Sequence, residues 1–292
     1  MMKNSIKYLV CACLVTLTMN GQSLDLKKAS GEYDKYDYVD AIKVYEKLYT
    51  KNYKSPDMLK RLGNAYYFQG DLKKANTFYN DLFSTGQIVE PEYYYRYAQT
   101  LKSVKDYTRA DQMLAEFATR SKSDLRSQLI TSQKNYMDEI KRNSGRYTLQ
   151  SSGINSKMRD YGAAYYKNKI IFASSRDSGG GSKRIHDWDG QPFTDLYQAE
   201  IGANGVLSNP KKLSKDINSI YHESTPVFTN DSTTVYFTRN NYIKGKRGRD
   251  GKEVTLLKLY KASYDGSKWI DIKELPFNSD DYSVAHPALS PD

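Results

Sequence analysis

The sequence predicts an α+β multidomain chain, a helical solenoid followed by an incomplete ring of four-stranded antiparallel sheets. Three observations carry this expectation. An alanine-centred helical pattern recurs at spacings of 34 and 35 residues, at Ala41, Ala75 and Ala110. An Asn-Ser pair recurs at Asn155, Asn218 and Asn278, 63 and then 60 residues apart. Between those pairs lie short runs rich in Tyr, Phe, Ile and Val, divided by Gly, Asn, Asp and Ser, which is the pattern of strands and turns.

Residues 1–22 open with Lys3 and Lys7, continue as "YLVCACLVTLTM" and run out into polar "NGQS", whose serine is residue 23. These are the charged start, apolar core and polar end of a secretory signal, and the apolar run is too short to span a bilayer. Cleavage near Gly21 to Ser23 removes Cys11 and Cys13, the only cysteines, so the mature chain is expected to hold no thiol, disulfide or thiolate metal site. The alternative makes Cys13 the lipid-bearing residue of a lipoprotein, but "LVTLTM" continues the apolar run past it. Without Lys3 and Lys7 the net charge falls from +10 to +8, and residues 23–145 and 146–292 each carry 21 basic and 17 acidic side chains. Nucleic-acid domains concentrate positive charge on one region, so the even spread argues against such a partner.

Residues 23–143 hold the helical repeats: "YVDAIKVYEKL" from Tyr38, "LKKANTFYNDL" from Leu72 and "YTRADQMLAEF" from Tyr107. Each alanine sits three residues after an apolar or aromatic residue, with large residues four and seven places later, so all four share one helical stripe. Partner helices lie upstream in "MLKRLGNAYYFQGD" and "YYYRYAQTLKSVKD", where Gly63 and Ala98 allow close approach. Around Ala29 the leading helix of the first copy is weaker, and "SDLRSQLITSQKNYMDEIKR" reads as a capping helix. Such periods belong to helix-pair arrays. The set resembles the tetratricopeptide repeat in three copies. That resemblance implies a binding scaffold whose concave wall is built from the leading helices, and it places Lys60, Asn64, Tyr67 and Arg96 on that groove. Lys60, Asn64 and Arg96 match part of the set with which some members clamp a terminal carboxylate, whereas Glu92 and Gln99 depart from it; a plain solvated face is the competing reading.

Residues 144–292 repeat at about twice that length. "KIIFASSRD" aligns with "TVYFTRNN", "TDLYQAEI" with "LKLYKASY", and "VLSNPKKL" with "KWIDIKEL". Four antiparallel strands per repeat make the blade of a β-propeller. The terminal "AHPALSPD" matches "STPVFTND" as the first strand of a third blade, and "RYTLQSS" from Arg146 resembles a fourth strand of another. A ring needs at least about four blades, so the sequence is expected to stop within the propeller. The strands resemble the WD40-like repeats called PD40. The order of signal peptide, tetratricopeptide repeats and PD40 strands, with "FASSRDSGGGSKRIHDWDGQPFTDLYQA" and "YFTRNNYIKGKRGRDGKEVTLLKLYKA", resembles the OmpA family of envelope proteins. Its members continue into a carboxypeptidase-regulatory-like sandwich and a peptidoglycan-binding domain, so peptidoglycan contact falls on a domain absent from this sequence.

Chemistry-bearing motifs are sparse. His186, His222 and His286 fall in loops on one face of the expected propeller, near Asp187, Asp189 and Glu223, yet no HExxH or GxSxG occurs, and no metal, cofactor or catalytic residue is expected. The same face carries basic residues at Lys183 and Arg184 and at Lys244, Lys246, Arg247, Arg249 and Lys252, suited to an anionic partner or merely solvated. By resemblance, the expectation is a non-enzymatic periplasmic adaptor at the outer membrane, binding protein partners through the helical groove within a peptidoglycan-linked secretion or motility assembly. The alternatives are the regulatory part of an envelope hydrolase or peptidase, and a ligand-sensing propeller.

Overall fold

Left-handed residues at Tyr36, Asn52, Gly70, Gly86 and Lys105 mark five of the turns that divide the first half into helices: α1 (residues 23–34), α2 (Tyr38–Thr50), α3 (Pro56–Gln69), α4 (Leu72–Ser84), α5 (Pro91–Ser103), α6 (Tyr107–Arg120), α7 (Leu125–Ser132) and α8 (Tyr136–Asn143). The computed structural model describes residues 23–132, 136–176 and 184–290; the expected signal segment, with Cys11 and Cys13, lies outside them. The chain divides into two compact units, Met1–Tyr147 with Asp187–Asp189, and Thr148–His186 with Gly190–Asp292.

In the helical unit α2, α4 and α6 each start on an aspartate. Asp37, Asp71 and Asp106 accept from the backbone N–H of Asp40, Lys74 and Arg109 at 3.2, 3.0 and 3.1 Å, a cap that contributes about 1 kcal/mol. The residue before each aspartate, Tyr36, Gly70 or Lys105, has φ of 63°, 82° or 65° and so reverses the chain. Each aspartate N–H then donates back to the carbonyl of Glu32, Tyr66 or Leu101, satisfying the end of the preceding helix. Pro56 and Pro91 begin α3 and α5, where their missing N–H costs nothing.

The repeating stripe is the core. Ala41, Ala75 and Ala110 are fully buried, with Tyr45, Tyr79, Leu48, Leu82 and Phe117 packed beside them. Gly63 of α3 meets the Tyr79 ring of α4 so closely that a Cβ would lie 2.6 Å from Cε1. Trp188 belongs to this unit and packs against Tyr36, Tyr38 and Phe68, its indole N–H donating to the Phe68 carbonyl at 3.2 Å. Where the sequence predicts one capping helix, two are described, α7 and α8.

The second unit contains two antiparallel sheets of four strands. The first has β1 (Asp160–Tyr166), β2 (Lys169–Ser174), β3 (Asp195–Ile201) and β4 (Leu207–Lys212) in that order. The second has β5 (Glu223–Phe228), β6 (Thr234–Asn240), β9 (Leu257–Tyr264) and β10 (Trp269–Glu274), with a short ribbon of β7 (Tyr242–Ile243) and β8 (Lys246–Arg247) inserted after β6. Ile171, Ala173 and Leu196 of the first sheet pack on Val235, Phe237 and Tyr260 of the second.

Three devices recur with the repeat. Asn218 accepts from the Leu196 N–H at 2.7 Å and donates to the Leu196 and Leu213 carbonyls at 3.1 and 3.0 Å. Asn278 does the same to Leu259, at 2.9 and 2.7 Å. Each asparagine thus clasps the third strand of the sheet before it. Asn155, which no described sheet precedes, instead accepts from Ser152. Second, a bulge interrupts β1 and β5, with Gly162 and Thr225 at φ of 63° and 44°, and His286 has φ of 60° at the matching place. Gly162 also lies against Thr225, whose Cγ2 is 3.0 Å from where a Cβ would sit. Third, Arg176 donates to Asp160 at 2.7 Å and to the Ile154 carbonyl at 2.8 Å over Phe172 and Tyr197. Arg239 pairs with Glu223 at 2.8 Å and donates to the Ile217 carbonyl at 2.6 Å over Phe237 and Tyr260. Burial pushes the Glu223 carboxyl up to about 7 against the pull of Arg239. Burial acts in the same direction on Asp160, but bonds from Arg176, Ser174 and Ser156 hold it at about 2.

Two expectations differ from the structure. Residues 284–290 form no strand, although the Val284 N–H donates to the Leu257 carbonyl as the Glu223 N–H does to that of Thr194. The segment has its inter-sheet link but no hairpin partner among the described residues, and a ladder forms only against a neighbouring strand. "RYTLQSS" is likewise not a strand, with Tyr147 and Leu149 exposed. The described residues do not close into a ring. No described helix is long and apolar enough to cross a membrane.

Gly63→Ala is expected to destabilise the helical unit by about 1–3 kcal/mol through overpacking against Tyr79. Gly31→Ala in α1, with nothing within 4 Å of the added carbon, is expected to stabilise it by up to about 1 kcal/mol. Urea unfolding followed at the helical dichroism band measures both, and equal effects would contradict the packing account.

Candidate functional site

Along α3, Lys60, Asn64 and Tyr67 fall at i, i+4 and i+7 and share one stripe. Arg96 projects from the neighbouring leading helix α5. The structure brings these four together around Asn64, whose side chain is 6% exposed and fully bonded. Its amide donates to the Tyr33 and Tyr93 hydroxyls at 3.1 and 3.2 Å, and its oxygen accepts from Tyr79 at 2.7 Å and Arg96 at 2.8 Å. Tyr33 comes from α1, Tyr79 from α4, and Tyr93 and Arg96 from α5, so one amide joins three successive helix pairs. Burial pushes the Tyr79 phenol far above its ordinary range and keeps it a donor.

The cations of this face rest on tyrosine rings and are held by carboxylates. Lys60 lies over Tyr93, 5.2 Å from the ring centre, and pairs with Glu90 at 2.6 Å. That hydrogen bond from Lys60 holds the Glu90 carboxyl below its ordinary range. Arg96 lies over Phe68 and Tyr67 at 4.9 and 5.8 Å and pairs with Glu92 at 3.2 Å. Arg61, one repeat earlier than Arg96, lies over Tyr33 and pairs with Asp34 and Asp57. Arg126 lies over Tyr95 and Phe117 and pairs with Glu92 and Asp124, whose hydrogen bonds keep its guanidinium firmly charged. Chemically the face offers half-buried rings flanked by cations whose partners are the chain's own surface carboxylates. An incoming carboxylate competes with Glu90 and Glu92 rather than meeting bare charge.

Tyr33, Tyr93 and Arg126 belong to this surface and were not among the residues picked from the sequence. The equivalence of Tyr33 to Tyr67 at the repeat spacing is a signal that finds one of these three, and that of Arg61 to Arg96 finds the cation above it.

On the second unit, Lys183 lies outside the described residues. Arg184 and Arg247 converge on Tyr221, each 5.9 Å from its ring centre, and Arg247 donates to its hydroxyl at 3.4 Å. Arg249 is paired with Glu253, and Lys246 sits exposed on β8. Tyr242 lies beside Tyr221 at 5.2 Å, so folding supplies aromatic neighbours that the basic stretch itself lacks. His186 and His222 meet edge-on at 4.8 Å, with Phe193 against both. The Thr194 N–H donates to His222 Nδ1 at 3.0 Å. His286 is elsewhere, its N–H donating to Thr238. Among the described residues no three side chains are grouped to hold a metal ion.

No family model matches the chain, and no curated protein matches it. Among solved structures, the C-terminal part of a TPR repeat-containing protein from Cytophaga hutchinsonii is similar at 19% identity and a TM-score of 0.33, over 44% of this chain. The match spans 52% of that chain, about half its length.

Asn64→Leu is expected to cost about 3 kcal/mol in the helical unit, because it removes four hydrogen bonds at once and strands the buried Tyr79 hydroxyl. Lys60→Met, which breaks only a surface pair, is expected to change stability by less than about 1 kcal/mol. Urea titrations of the two variants check this, and comparable losses would refute the hub role of Asn64.

Proposed function

We propose that this chain is a non-enzymatic periplasmic adaptor at the outer membrane that grips a protein partner along the leading-helix face of its repeats. The observation that carries this reading is the row of half-buried tyrosines, each with a cation above it, at Tyr33, Tyr67, Tyr93 and Tyr95. Tyrosine presents an apolar face and a polar tip at little entropic cost, and Tyr and Arg are the residues that dominate interface energies. The carboxylates now holding Lys60 and Arg96 are exchangeable for those of a partner peptide.

In this reading the two sheets are successive blades of a PD40-type β-propeller, which the recurrence of the asparagine clasp, the bulge and the arginine hub supports. Membership of the OmpA family and a place in a peptidoglycan-linked assembly for secretion or motility rest on the order of sequence motifs. The periplasmic setting rests on the charged, apolar and polar parts of residues 1–22.

The full chain and its Lys60→Glu/Tyr67→Ala variant, immobilised and exposed to an envelope extract, are expected to differ by about tenfold or more in captured partner. Equal capture by a variant with wild-type dichroism would remove the leading-helix face as the binding surface.

A further inference from the structure

The second unit contains a crevice of about 910 Å³, near the upper end of the roughly 300–1,000 Å³ usual for ligand pockets. One side comes from the end of β4 and the link after it, with Lys212, Lys215 and Ile220; another comes from the β7–β8 ribbon, with Tyr242, Ile243 and Lys244. The start of β10, from Lys268 to Lys273, completes it. Lys244 is carried at the ribbon tip, where it and Gly245 have φ of 49° and 81° and close a two-residue turn.

Two features define what fits. The lining contains an apolar set, Ile220, Ile243, Ile272 and Trp269, in which Trp269 is buried as floor while Ile220 is 44% exposed. Around it stand more lysines than carboxylates: Lys212 is held by Asp195 at 2.6 Å and Lys273 lies 3.8 Å from Asp271, Lys268 sits near Asp265 and helps hold its carboxyl below the ordinary range, and Lys215 and Lys244 have no ion pair among the described residues, with Asp216 and Asp271 as the acidic members of the lining. Unlike the leading-helix face, where Lys60, Arg61, Arg96 and Arg126 each have a carboxylate, this rim carries positive charge left open. A chain in extended form turns alternate side chains to opposite sides, so apolar residues meet the floor while acidic ones meet the rim. The recess is concave, which disfavours a flat bilayer, and Trp269 is too deeply buried to stack on a base.

We infer that this crevice binds an extended acidic peptide segment in which carboxylates alternate with aliphatic side chains. The occupant is a partner protein's segment, selected by charge complementarity at the rim and by aliphatic burial on the floor. This goes beyond the adaptor reading. The crevice lies wholly in the sheet unit, so loss of the helical-face interaction leaves it intact.

The test is fluorescence anisotropy of a dye-labelled short peptide alternating Glu with Val or Leu, titrated with the full chain. Binding is expected, weakening as salt rises. The Lys215→Glu/Lys244→Glu/Lys268→Glu variant is expected to bind at least about tenfold more weakly. A Lys246→Glu/Arg249→Glu control is expected to bind within about twofold of wild type, since those side chains do not line the crevice. Dichroism confirms the fold of both. Equal binding by the triple variant, equal loss in the control, or equal binding of a peptide with Lys in place of Glu would overturn the inference. So would capture of phosphatidylglycerol vesicles or single-stranded DNA in preference to the acidic peptide. Retained peptide binding by the Lys60→Glu/Tyr67→Ala variant supports the crevice as a separate site, whatever that variant does to partner capture.

Discussion

Three junctions between repeats are held by an asparagine whose amide bonds the neighbouring repeat: Asn64 and Asn218, which are buried, and Asn278, which is half-buried. A repeat of this size cannot cover its own apolar face, and stacking alone leaves its register free to slide. A buried amide fixes register because a slip of one residue leaves donors and acceptors unpaired, at a cost of about 1–3 kcal/mol each. In the helices Asn64 ties Tyr33, Tyr79, Tyr93 and Arg96 into one network. In the sheets Asn218 and Asn278 close on the main chain of Leu196 and Leu259. Where the helical hub reads side chains, the sheet clasp reads backbone, which explains why the Asn-Ser pairs recur while the residues they grip need not.

Much of the architecture was legible because packing imposes a period. An alanine is required where two helices touch, so Ala41, Ala75 and Ala110 mark the helix pairs. A strand needs alternation and a turn needs polar residues, so the eight long strands fall where those patterns lie. What escaped was whatever depends on distant segments meeting. The arginine hubs are a case in point: Arg239 stands opposite Glu223 in the ladder, but Ser174 stands opposite Asp160 and Arg176 reaches the same place from two residues further on. An alignment by spacing therefore hides one of the pair. Likewise Lys60 and Arg96 are recognisable as groove residues, yet nothing local tells that Glu90 and Glu92 already hold them. Tyr221, on which Arg184 and Arg247 converge, sits far from both in sequence.

The two units manage charge differently. On the leading-helix face Lys60, Arg61, Arg96 and Arg126 are each stacked on an aromatic ring and paired with a carboxylate, which leaves little net field there. Such a face discriminates through shape and ring contact, and its ion pairs are exchangeable because exposed pairs are worth less than about 1 kcal/mol. In the sheet unit the half-buried pair Asp160–Arg176 and the buried pair Glu223–Arg239 are turned inward, and each arginine also bonds the carbonyl of the link before its sheet, at Ile154 and Ile217. The lysines at the crevice rim, Lys215 and Lys244, are among the open charges of that unit.

The clasp is tested most directly by native-state hydrogen exchange of single amides. In the wild-type chain the Leu196 and Leu259 amides, bonded to asparagine side chains, should exchange slowly. In Asn218→Ala, protection should fall at Leu196 and persist at Leu259, with the reverse in Asn278→Ala. Unchanged protection of Leu196 in Asn218→Ala would contradict the claim that these asparagines lock a repeat to the one before it.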